Sequence, residues 1–208
     1  MQKLEDDPQI EFKNLHPAYD ELVKPLDMEK MVAWQAGMTG FPMVDACMRA
    51  LAQTGWLNFR MRAMVTSFAC HHLWLPWKEV STYLASCFTD FEPGIHYSQI
   101  QMQAGTTGIN TIRIYNPIKQ ATDHDPDCVF IKQWIPELRT IEPDLIHVIH
   151  ESNLYAPNYP TAIVDEKQAR DYARQTLFSL RKLQTFKQTA SHIVKKHGSR
   201  KKGRGNRK

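Results

Sequence analysis

An all-α fold with a long irregular loop region and a basic tail is what this sequence predicts. Three observations carry that reading. Apolar residues recur at helical spacing through the first half, no alternating strand pattern persists anywhere, and the last fourteen residues carry eight Lys/Arg and no acid. With 208 residues, 42% of them hydrophobic, the chain can bury the core of one large domain or two small ones.

Residues 1–30 hold eight acids and four bases with little periodicity and read as an acidic N-terminal segment, mostly loop, with one short helix. Residues 31–194 form the helical body. Thr39-Gly40-Phe41-Pro42 is a turn into a helix, since proline fits the first helical position. Val44, Cys47, Met48 and Leu51 then line one face, and Gly55 stops the helix. A second helix is expected from Leu57 to Leu75, ended by Pro76 and apolar on nearly all sides. A third spans Lys78–Phe88. Residues 89–126, punctuated by Pro93-Gly94, Gly105, Gly108, Asn116-Pro117 and Asp125-Pro126, read as one long irregular stretch, the kind that carries function. Helix resumes over Asp127–Trp134, and Asp165 caps a last helix over 166–195.

The net charge of +4 conceals an asymmetry: residues 1–194 net −4 and the tail, 195–208, carries the rest. Such tails meet polyanions such as nucleic acid, or serve only as a solvated end. No apolar run reaches the 18 residues of a membrane span, the N-terminus lacks a signal-peptide pattern, and the four cysteines form no CxxC pair. The expectation is a cytoplasmic protein with neither membrane association nor a metal site.

Few residues stand out for chemistry. Arg60 and Arg62 lie two apart in an apolar helix, so they face different ways, and the inward one needs an acid or an anionic ligand. Asp90, Glu92 and His96 follow the third helix and offer such a partner. Trp56, Trp74 and Trp77 crowd the central helices and read as core. His71 and His72 are adjacent, so their rings diverge, and Asp123-His124-Asp125 reads as a turn.

Five ordered segments between Trp34 and Arg181 resemble the photolyase/cryptochrome flavoproteins. Residues 34–49 (WQAGMTGFPMVDACMR) are similar to that family's W-x-x-G-x-T-G-[YF]-P-x-V-D-A-x-M-R, and residues 54–62 (TGWLNFRMR) to its T-G-W-x-x-N-R-x-R. Residues 113–117 (RIYNP), 130–138 (FIKQWIPEL) and 159–165 (YPTAIVD) resemble three further signatures in the family's order. The resemblance implies the C-terminal half of a helical FAD-binding domain, with a flavin that transfers an electron to damaged DNA, as in a deoxyribodipyrimidine photolyase-like lyase, or starts cryptochrome signalling.

The resemblance also implies roles. Arg62 pairs with Asp90 beside the flavin, Glu92 is the second acid of that loop, and His96 stands where an Asn faces the flavin. Phe59 takes the slot of a family Asn, and Phe91 lies between the two acids. Arg60 falls at a position facing the DNA lesion, together with Trp56 and with Met102, which stands where a Trp lies beside the lesion. Trp77 matches the middle residue of an electron relay, whose inner and outer places read Ile100 and Lys24. Lys195, Lys196, Arg200, Lys201 and Lys202 of the tail are assigned to DNA. The family's antenna domain and FAD phosphate loop have no counterpart among these residues. The chain is therefore expected to be a fragment or short product, or to rely on a second chain for those parts. The alternative is a non-enzymatic DNA-binding or interaction module that keeps the helical shell and basic tail.

Overall fold

The computed structural model describes residues 7–152 and 154–197. Ten α-helices and several short 3-10 turns build it, and there is no strand among the described residues. Two 3-10 turns, Pro8–Glu11 and Pro17–Glu21, precede α1 (Met28–Ala36), so the first thirty residues hold more regular structure than their composition announces. Asp7 and His16 cap those turns by accepting from Gln9 N and Ala18 N.

The core helix α2 (Pro42–Thr54) begins at Pro42 and ends at Gly55, whose φ of 68° is the left-handed conformation that glycine adopts freely. It packs against α1, against α3 (Phe59–Ser67) and, further along, against α6 (Pro117–His124) and α7 (Val129–Trp134). The expected Leu57–Leu75 helix is broken in two ways. Asn58 caps α3 by accepting from Met61 N at 3.0 Å, and the helix widens at Phe68–His72 into a π-turn. Trp74 then takes φ 57°, a costly conformation for an aromatic residue. α4 (Trp77–Cys87) follows as the third helix was expected to.

The largest correction concerns residues 89–126. They are not one irregular stretch, because α5 (Pro93–Ala104) and α6 lie inside it. Pro93 and Pro117 were read as breakers but occupy first helical positions, and Gly105, at φ 78°, is a C-terminal cap. α5 also shows no apolar stripe, because Gln99, Gln101 and Gln103 alternate along it. Asp123-His124-Asp125 is likewise not a free turn. Its first two residues end α6, and the buried Asp125 accepts from Phe130 N and Ile131 N at the start of α7.

A short α8 (Pro143–Val148) packs on α6. The last helix is two helices, α9 (Glu166–Arg181) and α10 (Gln184–His197), with Asp165 capping the first through Gln168 N at 2.8 Å. The break at residues 182–183 turns Phe186 onto His16, with ring centroids 3.8 Å apart and His16 Nε2 3.1 Å from Phe186 O. His71 and His72 diverge as expected: His71 Nε2 donates to Gln103 O at 2.9 Å, while His72 stacks on Phe68 and approaches Glu166 at 3.4 Å.

Candidate functional site

α3 and α5 pack side by side, and between their outer ends opens a cleft of about 410 Å³. Its size lies in the range of small-molecule sites. The floor is apolar, with Leu57, Ala63, Phe88 and Ile100 among its residues. The mouth carries Trp56, Phe59, Phe91 and Ile95, which are 55%, 65%, 37% and 60% exposed. Trp56 is thus a surface ring and not the core residue its spacing announced.

Arg62 sits at the cleft edge, and three contacts fix it. Its Nε donates to Leu57 O at 2.6 Å, Nη2 meets Asp90 Oδ2 at 2.9 Å, and the guanidinium lies 4.1 Å from the Phe88 ring centroid. The hydrogen bond from Arg62 holds the Asp90 carboxyl below the usual carboxylate range. The pair is less buried than an apolar helix implies: the Arg62 side chain is 26% exposed and that of Asp90 52%. Glu92 caps α5 by accepting from Gly94 N at 3.2 Å.

His96 stands one turn into α5. Its Nε2 lies 3.0 Å from both Ser81 O and Ser81 Oγ. A carbonyl can only accept, so Nε2 carries the proton and Nδ1 is the acceptor nitrogen. Burial pushes the His96 pKa down, which keeps the ring neutral near pH 7.

The cleft therefore gathers Trp56, Phe59, Arg62, Asp90, Phe91, Glu92 and His96. It does not gather three others. Arg60 is exposed and outside the lining, because α3 turns it away from Arg62. Met102 lines a separate recess of about 60 Å³ beside Ile10 and Leu15. Trp77 is buried, donates from Nε1 to Asn14 Oδ1 at 2.7 Å and borders a different cavity of about 280 Å³. For Lys195 and Lys196 only the helical backbone is described, and Arg200, Lys201 and Lys202 lie outside the described residues. Sequence reasoning missed Asn58, Thr66, Gln99 and Gln103, all of which line the cleft.

A second polar knot lies away from the cleft. Asp45, fully buried on α2, accepts from Thr39 N (2.8 Å), Thr39 Oγ1 (2.7 Å) and Gly40 N (3.0 Å), and from the Tyr159 hydroxyl. Ile163 N donates to Thr39 O at 3.0 Å. Gly40 has φ +80°, and a Cβ there would stand 2.4 Å from the backbone of Ala162. Two of the five sequence segments, 34–49 and 159–165, are thus two sides of one clamp, and neither touches the cleft.

The family model described as the FAD binding domain of DNA photolyase matches residues 1–179. The chain belongs to that family. FAD is the family's cofactor. Among photolyases of the family, the deoxyribodipyrimidine photo-lyase of Vibrio cholerae is 38% identical over 150 residues, covering 70% of this chain and 32% of its own length. Cryptochrome-2 of Arabidopsis thaliana is 34% identical over 169 residues, covering 76% and 28%. The archaeal photolyase of Sulfolobus tokodaii, solved with two FAD molecules, superposes with a TM-score of 0.80 at 31% identity, over 85% of this chain and 40% of its own. A class III photolyase of Agrobacterium tumefaciens gives 0.79 at 31% identity, over 87% and 40%. The chain spans about a third of the length of the curated photolyases it matches. No helix among the described residues is long and apolar enough to cross a membrane.

Proposed function

We propose that the cleft between α3 and α5 holds the flavin ring of FAD, and that this chain forms one wall of a flavin-dependent, light-linked DNA-repair or cryptochrome-type photoreceptor unit. The observation that carries the reading is the Arg62–Asp90 pair at the edge of an apolar cleft, in a chain of the photolyase FAD-binding family. A bound flavin supplies light absorption and an electron.

The residues of the chain do the rest. Arg62, pinned by Leu57 O and Asp90, places a fixed positive charge where it favours an anionic ligand ring. His96 keeps a neutral ring whose Nδ1 is a hydrogen-bond acceptor. Trp56 and Phe59 offer exposed faces on which an unpaired base stacks, and Arg60 adds a surface cation for phosphate. The tail residues Lys195, Lys196, Arg200, Lys201 and Lys202 extend that basic surface toward DNA, the proposed partner. The relay assigned to Trp77 lacks a Trp at its inner step, because Ile100 stands at that place on α5 and lines the cleft.

The lining fits a flavin ring better than it fits a whole FAD. Arg62 is the one Lys or Arg of the lining, and it is already paired. The pyrophosphate therefore gains no cation from this lining, and its cradle lies outside the residues that line the cleft. Titrating the chain with riboflavin and FAD while following flavin fluorescence tests this. Saturable binding of both, with affinities within about threefold because no charge-assisted bond is added, is the expected result. No saturable binding of either, with DNA still retarded by the chain, would instead favour the non-enzymatic DNA-binding module. For DNA, six phosphate contacts from the tail predict a log K versus log salt slope near −4 for single strands. Removing residues 195–208 flattens it.

A further inference from the structure

Helix α5 carries three glutamines, and their hydrogen bonds are unequally spent. Gln101 faces the N-terminal segment. Its Oε1 accepts from Leu15 N at 2.8 Å and Thr106 Oγ1 at 3.1 Å, and its Nε2 donates to Ile10 O and Lys13 O, each at 2.7 Å. That carboxamide is fully used. Gln99 and Gln103 line the cleft instead. The Oε1 of Gln99 is buried with no partner. Gln103 is 5% exposed, and its carboxamide bonds to nothing among the described residues, although its backbone oxygen accepts from His71.

A buried amide oxygen without a partner is a standing cost to stability, and Gln99 Oε1 bears it. Neither side chain makes a hydrogen bond among the described residues, so folding alone does not account for either glutamine. The two are four residues apart, so they stand side by side on one helix face, with Cβ atoms about 5–6 Å apart. Each offers one acceptor oxygen and two N–H donors. A neighbouring pair can thus present donor, acceptor and donor in a row to the cleft that both residues line.

We infer that Gln99 and Gln103 form a polar strip that reads the imide edge, C=O, N–H, C=O, of a planar heterocycle held in the cleft. That edge is complementary, in its order of acceptors and donor, to two adjacent carboxamides. Two sources carry it: the flavin ring, for which the inference rests on the reading proposed above, and a pyrimidine base such as thymine. Recognition by buried polar groups discriminates strongly, because a ligand lacking the matching proton leaves them unpaired.

The test uses the whole chain and two pairs of probes: lumiflavin with its N3-methyl derivative, and thymidine with 3-methylthymidine. Methylation removes the central N–H of the edge and leaves the rest of the ring intact. In the natural chain, N3-methylation is expected to weaken lumiflavin binding at least tenfold by fluorescence titration, and less than twofold in Gln99→Leu or Gln103→Leu. Thermal melting of the unliganded Gln99→Leu chain is expected to be unchanged or higher, and Gln99→Met serves if the leucine variant loses helical circular dichroism. Equal binding of lumiflavin and its methyl derivative, or discrimination that survives both substitutions, overturns the strip and leaves the flavin reading standing. If lumiflavin does not bind, the flavin reading falls and the thymidine pair decides the strip. Tenfold preference for thymidine over its methyl derivative upholds it with a nucleobase as source, and no preference or no binding overturns it.

Discussion

Two aspartates make opposite use of the same chemistry. Asp45 is wholly buried and accepts from Thr39, Gly40 and Tyr159, so its oxygens are spent inside the protein. Burial still pushes its carboxyl above the usual range, against the pull of those donors. Asp90 is half exposed, has Arg62 as its one side-chain partner among the described residues and keeps oxygen lone pairs open at the cleft. One carboxylate holds the chain to itself, and the other is available to a ligand. A carboxylate with every lone pair committed is structural, and one with a single committed partner beside a cavity is available for binding.

Breaking the first should hurt most. Asp45→Ala removes the acceptor of two buried N–H groups and of the Thr39 hydroxyl, at a cost of about 3–5 kcal/mol, read as a shifted urea midpoint. Gly40→Ala is expected to cost about 1–3 kcal/mol from its left-handed backbone, and more from the approach of Ala162. The same measurement ranks the two.

His71, hydrogen-bonded to the backbone of cleft-lining Gln103, sharpens the contrast through pH. Burial holds His71 down to about 3, from 6.5 unfolded. A base with a lowered folded pKa is neutral when folded, so the unfolded chain takes the proton first. Its contribution is full above pH 6.5 and is lost as pH falls from there toward 3. In the middle of that window His71 alone gives a slope near 1.4 kcal/mol per pH unit. A His71→Gln variant should flatten the stability curve between pH 5.5 and 3.5.

At the open end the effects on stability are small. A double-mutant cycle on Arg62→Ala and Asp90→Ala should give a coupling of about 0.2–1 kcal/mol, as for exposed ion pairs, although flavin binding falls in both. The sign follows from Asp90's lowered pKa: the contribution is present above the unfolded carboxylate pKa and fades as pH drops through the folded one. Smallest of all, Trp56→Ala should leave the melting temperature nearly unchanged, within about 0.5 kcal/mol, while weakening single-stranded DNA. A coupling of several kcal/mol at Arg62–Asp90 would erase the distinction between the two aspartates.

The closed end was far more legible in the sequence than the open one. Pro42 and Gly55 bracket α2 with residues whose backbone preferences are local, so both ends follow from the sequence. Asp165 did the same for the start of α9 alone, since the break at residues 182–183 went unread. α5 stayed hidden because glutamines alternate along it and interrupt any apolar stripe at helical spacing, and because its caps are also loop-formers. The pairing of Arg62 with Asp90 was legible from the resemblance, but its exposure was not, since side-chain depth depends on the neighbouring helix. Nothing in the letters separates Gln99 and Gln103 from Gln101. Only the packing of Pro8–Glu11 on one face of α5 turns one glutamine into a fastener and leaves two facing a cavity.

The clamp at Asp45 also has a schedule. Tyr159 stands 114 residues downstream of its acceptor. At synthesis rates of about 5–20 residues per second, that stretch takes roughly 6 to 23 seconds to emerge. Throughout that interval α2 is exposed to the cell with its aspartate capped only from its own turn, by Thr39 and Gly40. The nascent chain thus passes through a period in which its best-buried helix is its most vulnerable one, and arrested chains ending before and after Tyr159 should differ sharply in their resistance to protease.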